Sequence, residues 1–270
     1  MDVLSDVLKA VRLTGAIFFE RHLHAPWVGE SPASAAIASM VMPGAGHVIS
    51  FHAILSGSCW AGLVGSSDSS KRFSAGDIVI YPMGDANVLS SAPGMRGLPD
   101  LQDYVRPKDR PLPIVTRLDN EGADYCHLVC GYFGCDVRPF NPLLEALPRM
   151  LLSQMSASAQ SWLSNMLRVA AEEAGRGGSG SESLLARLAE LMFIEVVRQH
   201  ITHLSDDSKD WLSGLKQRHV GHALRLIHGQ PEKPWTLVEL AREVGLSRSI
   251  FADRFVQYVG VSPMHYLGRW

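Results

Sequence analysis

The stretch TLVELAREVGLSRSIFADRFVQYVGVSPMHYL, from Thr236 to Leu267, reads as two short helices joined by a tight turn. Thr236 is placed to cap the first helix, and Glu239 three residues on completes a capping box. Leu237, Leu240, Ala241 and Val244 recur at helical spacing along one face. Gly245 stops that helix, because the left-handed conformation of a helix end costs least at glycine. Leu246 follows as a buried plug, and Ser247 caps a second helix. Phe251, Phe255 and Tyr258 run down the face of that helix which packs on the first. Gly260 closes it, and Val261-Ser262-Pro263 opens a further start. Upstream, Val220, Leu224, Ile227 and His228 mark a supporting helix that ends at Gly229 and Pro231.

Two helices joined this way form a helix-turn-helix, which lays its second helix in the major groove of DNA. The recognition helix then spans about Arg248 to Val259. Its outward face carries Arg248, Ser249, Ala252, Asp253 and Val256. Free backbone N–H groups near Thr236 and Ser247 are placed to clamp phosphates. From Lys216 to Trp270 there are eight Lys/Arg against four Asp/Glu, whereas the remainder holds 17 basic and 23 acidic residues. A basic tail on a chain of net charge −2 fits a DNA-binding end better than a generally sticky protein. A plain antiparallel helical pair shares this spacing, so the pattern alone leaves both readings open.

The segment resembles the first helix-turn-helix of the AraC/XylS family of transcription regulators. The resemblance rests on Pro234-Trp235-Thr236, Leu240-Ala241, Val244-Gly245-Leu246-Ser247-Arg248-Ser249, Phe251, Arg254-Phe255, Gly260-Val261-Ser262-Pro263 and Tyr266-Leu267. It implies that Ser249, Ala252 and Asp253 face the bases. Two of these are small and one is acidic, so this half is expected to read few bases by itself. The family joins two such units through a long helix. The chain stops at Trp270, where that helix should begin, so binding to double-stranded DNA by these residues is expected to be weak and salt-sensitive.

At 270 residues the chain is long enough for two domains with real cores. Charged residues at 19% and hydrophobic residues at 46% place it among globular chains, not disordered ones. No apolar run reaches the length of a membrane span. The start, MDVLSDVLKAVRL, is amphipathic and acidic, unlike a signal peptide. Four irregularly spaced cysteines suggest reduced thiols and a cytoplasmic location.

Residues 1–140 change character. Val3, Leu4, Val7, Leu8 and Val11 predict a short helix. Strand-like runs follow at Val48–Leu55, Cys59–Val64, Ile78–Tyr81, Val88–Ser90 and Tyr125–Phe133. Turn residues between Gly57 and Gly65, and at Ser74-Ala75-Gly76-Asp77, suit an antiparallel sandwich or small barrel. Phe51-His52, Gly57-Ser58-Cys59-Trp60, Ala75-Gly76-Asp77-Ile78-Val79 and Pro82 resemble a cupin half-motif pair. With Leu4-Ser5-Asp6-Val7-Leu8, Gly84-Asp85-Ala86 and Cys130-Gly131-Tyr132-Phe133, they are similar to the cupin-type sensor domain of one branch of AraC-like regulators. The expected fold is therefore α+β in two domains: a cupin-like β-barrel with a helical hairpin, then an all-α helix-turn-helix.

The segment from Pro93 to Thr116 reads as a long surface excursion. Residues 141–205 are expected to be a helical hairpin. Trp162, Leu163, Met166, Leu167 and Ala170 form one stripe, and Leu184, Leu185, Leu188, Leu191, Met192 and Val196 the other. The two are joined by the Gly/Ser-rich loop at Gly175–Ser181. The stripes fit either core packing within one protomer or a homodimer interface. Residues 206–215 read as a linker, and 216–270 as the helix-turn-helix unit.

Inside the barrel, His47, His52, Trp60, Tyr81, Asn87 and Cys130 are the candidate pocket residues. Cupins hold metal with histidines and a carboxylate, which suit Zn, Mn or Fe. His47 and His52 are five apart, so they face opposite sides of an uninterrupted strand. Met83 and Asn87 stand where related sensor domains often have histidine. His52 and Cys130 remain as weak metal donors, for a divalent ion such as Zn. The spacing Cys126-x3-Cys130-x4-Cys135 is not a paired zinc spacing. A metal, an apolar or mixed ligand pocket for an unknown small-molecule effector, and an interior without any ligand stay open at this point, as does a thiol switch at Cys126 and Cys130. There is no nucleophile elbow, phosphate loop or zinc-protease signature, so an enzyme is not expected. By the family resemblance, an effector in the barrel biases the DNA-binding end, and only through differential affinity for two arrangements.

Overall fold

The computed structural model describes residues 3–10, 13–66, 70–106, 112–136, 141–153, 162, 165–166, 168–170, 172–173, 178–205 and 207–270. The chain divides into two compact units. Leu13–Asp136 and Pro148–His200 form a sheet unit. Met1–Arg12, Val137–Leu147 and Ile201–Trp270 form a helical unit. The α+β, two-part architecture expected from the sequence is therefore present, with the sheet curled into a cupin-like half-barrel.

In the sheet unit the strands are β1 (Thr14–His24), β2 (Val28–Ser31), β3 (His47–Leu63), β4 (Lys71–Ser74), β5 (Ile78–Tyr81), β6 (Asn87–Ser90), β7 (Ile114–Leu118), β8 (Tyr125–Cys135) and β9 (Leu151–Ser153). Their order is β2-β6-β3-β8-β1-β7, with β4 and β5 on β3 and β9 on β5. The two strands expected at Val48–Leu55 and Cys59–Val64 are one continuous strand, β3. Its first half pairs with β8 and β5, and its second half with β4 and β6. Gly57 is the bend between the halves and not a hairpin turn. It sits at φ 75°, and a side chain there would run into the Tyr125 carbonyl. The Ser74–Asp77 turn forms as expected, with the Asp77 carboxylate accepting from the Ser74 N–H at 2.9 Å.

Side chains alternate across these strands, so each strand serves two layers. Phe19, Arg21 and Leu23 of β1, His52 of β3 and Leu128, Cys130 and Tyr132 of β8 face an interior cavity. On the other face Phe51 stacks on Phe133 with centroids 4.6 Å apart, and Phe133 meets Phe193 at 5.1 Å. Phe193 belongs to a 23-residue helix, Ser181–His203, which buries Leu185, Ala189, Met192, Phe193, Val196 and Val197. Gly15 of β1 lies against that helix at Ala186 and Ala189.

Residues 141–205 are not helical throughout. Pro142–Ala146 is a short helix, and Leu151–Ser153 is a strand that extends the sheet at β5. Leu185, Met192 and Val196 of the second predicted stripe are buried, whereas Leu184 and Leu191 are exposed. Leu163 and Leu167 of the first stripe lie outside the described residues, as do residues 175–177 of the glycine loop.

In the helical unit, Val3–Ala10 packs on the helix Arg218–Gly229 and buries Val3, Leu4 and Val7. Asp210, read as linker, caps the helix Trp211–Lys216 by accepting from the Ser213 N–H at 2.7 Å. Trp211, Leu212, Ser213 and Gly214 are buried, so residues 211–214 are core of this unit. Tyr266 joins three helices through its hydroxyl, which accepts from the Trp211 indole at 3.0 Å and lies 2.7 Å from His228 Nε2.

Candidate functional site

The helix-turn-helix forms with the expected bounds, Leu237–Glu243 followed by Arg248–Val259. The capping box is complete. Thr236 Oγ1 accepts from the Glu239 N–H at 3.2 Å, and the Glu239 carboxylate accepts from the Thr236 N–H at 2.9 Å. Gly245 ends the first helix at φ 72°, with the Leu246 N–H donating to the Ala241 carbonyl at 2.9 Å and the Gly245 N–H to the Arg242 carbonyl at 3.1 Å. These two bonds satisfy otherwise orphaned carbonyls and fix the angle between the helices. Ser247 Oγ caps the second helix at the Ile250 N–H, 3.4 Å away. Phe251 and Phe255 are fully buried beneath that helix, edge to face at 5.7 Å.

With that face committed to the core, Arg248, Ser249 and Asp253 point to solvent and Ala252 is half-buried. Ile250 and Val256 are exposed beside them, 50% and 42% accessible. Ile250 was not among the predicted contacts. An exposed β-branched residue at the start of a recognition helix suits apolar contact with a thymine methyl.

The second site is a cavity of about 220 Å³ within the half-barrel. Phe19, Leu23, Trp27, Leu89, Tyr104 and Tyr132 give its walls an aromatic and aliphatic part, and Glu30, Asp100 and Asp103 also line it. One guanidinium, that of Arg21, sits among them with its centre 4.6 Å over the Phe19 ring. Among the described residues it has no carboxylate partner. The excursion after Pro93 folds over the mouth of this cavity. Arg96 grips Glu30 through two hydrogen bonds of 2.7 and 2.8 Å, and Asp100 caps a short turn at Leu101–Tyr104. Tyr104 packs edge-on against Phe19, with its hydroxyl 3.2 Å from Ser31 Oγ. Beyond it the chain returns as β7, parallel to β1, so this segment is partly sheet.

Two comparisons decide the family. Residues 228–267 match the bacterial regulatory helix-turn-helix proteins of the AraC family, and residues 2–202 match a cupin family. The chain is 30% identical over 269 residues to the HTH-type transcriptional regulator AlkR of Acinetobacter baylyi, covering 99% of this chain and 83% of that protein. The chain belongs to the AraC family of transcription regulators. It is also similar to the regulator MtrA of Neisseria gonorrhoeae, at 23% identity over 97% of this chain and 80% of that one. Among solved structures, unsaturated fatty acid-bound ToxT of Vibrio cholerae aligns over 94% of each chain at 13% identity, with a TM-score of 0.33. This AraC-family chain thus pairs a cupin-like domain with a DNA-binding helix-turn-helix. No helix among its described residues is long and apolar enough to cross a membrane.

The predicted pocket residues of this regulator divide into two groups. His52 and Cys130 are neighbours across β3 and β8 and both line the cavity. Asn87 and Tyr81 stand behind His52. Asn87 Nδ2 donates to Ser50 Oγ and to the Asp85 carbonyl, both at 3.1 Å, so its oxygen faces His52 and accepts from Nε2 at 3.0 Å. Tyr81 meets the His52 ring edge-on at 6.0 Å. His47 and Trp60 do not line the cavity. His47 lies on the opposite face of β3, where Nε2 bonds the Pro82 carbonyl at 2.7 Å, because the β3–β8 bulge falls only after Ile54. Trp60 lies past the Gly57 bend, opposite β4 and β6.

Among the described residues, no three metal donors converge in the cavity. Burial holds His52 neutral, with its pKa lowered to about 4; its Nε2–H is donated to Asn87 and its Nδ1 is buried without a hydrogen-bond partner, a single donor by itself. Burial also pushes the Cys130 thiol up to about 12, so no thiolate is on offer. Cys135 is raised to about 11 by burial, and Cys59 is raised by its bond with Cys126 and by burial. All four thiols are buried and reduced. Ellman's reagent at neutral pH should therefore modify none of the four in the native chain and all of them after denaturation. Rapid native reaction of Cys126 or Cys130 would restore the thiol switch.

A third cluster was not foreseen. Glu20, His22 and His127 converge on the face of the sheet away from the cavity. Hydrogen bonding from His127 holds the Glu20 carboxyl below its usual range, while burial lowers His22.

Proposed function

We propose that this regulator senses an amphipathic carboxylate in the half-barrel and transmits that state to the helix-turn-helix, acting in the cytoplasm as a homodimer and not as an enzyme. The observation that carries the reading is Arg21, a guanidinium without a carboxylate partner among the described residues, beside Phe19 in a cavity where the acidic lining residues Glu30 and Asp100 are engaged by Arg96 and the Gln102 N–H. Desolvating a charge in such surroundings is costly unless it is paired. A ligand with an apolar body and a carboxylate would supply both the pairing and the burial.

In this reading the sheet unit, Leu13–Asp136 with Pro148–His200, is the sensor, narrower at its start than the expected 1–140, and residues 216–270 are the reader. Thr236 and Ser247 meet phosphates; Arg248, Ser249, Ala252 and Asp253 face bases. Because those base-facing side chains are small or acidic apart from Arg248, this unit binds chiefly through phosphates, and its affinity falls steeply with salt. The exposed Leu184 and Leu191 on the 181–203 helix support a homodimer through residues 141–205.

Fluorescence of Trp27, which lines the cavity, tests the sensor. Decanoate should change the emission saturably, decanol far more weakly, and Trp27→Phe should remove the signal. Arg21→Met keeps the apolar stem and removes the charge. A charge-assisted bond is worth about 1.5–3 kcal/mol, so decanoate should bind this variant roughly 10- to 100-fold more weakly. Equal binding of acid and alcohol, unchanged by Arg21→Met, would sink the carboxylate reading.

A further inference from the structure

We infer that Glu20, His22 and His127 form a binding site for a divalent transition-metal ion, distinct from the barrel interior. Glu20 and His22 are two apart on β1 and so share a face, and His22 lies directly opposite His127 in the β1–β8 register. Three donors are thus set by strand geometry and need no loop to bring them together.

Their spacing matches a coordination shell. Glu20 Oε1 lies 2.9 Å from His127 Nε2 and 3.3 Å from His22 Nε2. Bonds of about 2.0 Å to a tetrahedral ion put ligand atoms roughly 3.3 Å apart. All three donor atoms lie within 4.8 Å of one another. The two imidazoles stack with centroids 4.0 Å apart and planes at 17°, so both present Nε2 towards the same carboxylate oxygen.

The surroundings resemble those of a supported site. His22 Nδ1 is 2.8 Å from the Tyr125 hydroxyl, the kind of outer contact that orients a ligating histidine and selects its tautomer. Glu20 is only 6% exposed. Two imidazole nitrogens with one carboxylate oxygen suit zinc, cobalt or ferrous iron and not magnesium or calcium, and they leave further positions open. The exposed Arg117, cross-strand neighbour of His22 on β7, opposes a cation, and water screens it. Without metal, the same three groups can close on one another by sharing protons, and the test separates the two states.

Chelator-treated protein is titrated with Co²⁺, then with competing Zn²⁺. One Co²⁺ per chain should bind, giving visible d–d absorption without a thiolate charge-transfer band. His127→Gln and His22→Gln should each abolish it. Cys130→Ser and His52→Gln, in the cavity, should leave it intact. Tyr125→Phe, acting through His22, should weaken binding about tenfold. Should either histidine variant misfold, as judged by far-UV circular dichroism, Glu20→Gln keeps the shape and should also lose the ion. Absence of stoichiometric Co²⁺ in the wild type, survival of binding in a folded His127→Gln or Glu20→Gln chain, or a thiolate band would overturn the assignment.

Discussion

Phe255→Ala should destabilise the helical unit by about 3–5 kcal/mol and abolish DNA binding. Phe255 is fully buried and meets Phe251 edge-on at 5.7 Å and Tyr266 at 5.8 Å. It therefore ties the recognition helix to Tyr266, whose hydroxyl bonds join the helices beginning at Trp211 and Arg218. Helices of this length, 7 and 12 residues for the pair, are marginal by themselves and persist through packing. Truncation to alanine removes most of an aromatic side chain and leaves a cavity that short helices fill only by shifting. The measurement is urea denaturation followed by far-UV circular dichroism, read at the transition of the helical unit. Two compact units need not unfold together, so each transition is fitted separately. Ser249→Ala, on the exposed face of the same helix, should change stability by no more than about 0.5 kcal/mol. A Phe255→Ala chain that keeps the wild-type midpoint would show that the aromatic cluster is not what holds the recognition helix.

The second large effect is on acid stability. His52 in the sheet unit and His228 in the helical unit are both buried, and burial lowers each from an ordinary value of 6.5 to about 4. Both rings are thus neutral in the folded chain at neutral pH. The unfolded chain takes up a proton at each as pH falls through 6.5, while the folded chain resists until about 4. Stability is therefore complete above 6.5 and drains away between 6.5 and 4, by up to about 3 kcal/mol per histidine. Thermal unfolding between neutral pH and the acid edge of that window should show both transitions falling. His228→Gln should flatten the pH dependence of the helical unit and leave that of the sheet unit unchanged. A pH slope in the helical unit that survives His228→Gln would assign the acid sensitivity elsewhere.

The two sites were unequally legible in the sequence. The helix-turn-helix depends on neighbours within a few residues. Thr236 caps at Glu239, the turn at Gly245 satisfies the Ala241 and Arg242 carbonyls, and Phe251 and Phe255 sit one turn apart. Each of these signals acts over a single turn, so they could be read in order along the chain. β1 gave no such signal. Glu20-Arg21-His22 looks like a polar surface run, but one face meets a cavity and the other a polar cluster, so apolar and polar residues do not alternate. The strand at Leu151–Ser153 was hidden for a similar reason, since three apolar-flanked residues carry neither helical nor strand period. The interior histidine was found but not its state, because His52 takes its tautomer from Asn87, 35 residues away.

The sequence by itself determined a cupin-like sheet domain followed by a reader whose two helices, caps and buried aromatics are local consequences of residue type. Only the tertiary structure decided that Arg21 stands inside an aromatic cavity and that Glu20, His22 and His127 meet, 107 residues apart at their widest contact. The reason is register. A turn or cap is fixed by bonds within one helical turn, whereas cross-strand neighbours exist only once β1 and β8 have paired, and a slip of one residue would turn every one of these side chains to the other face.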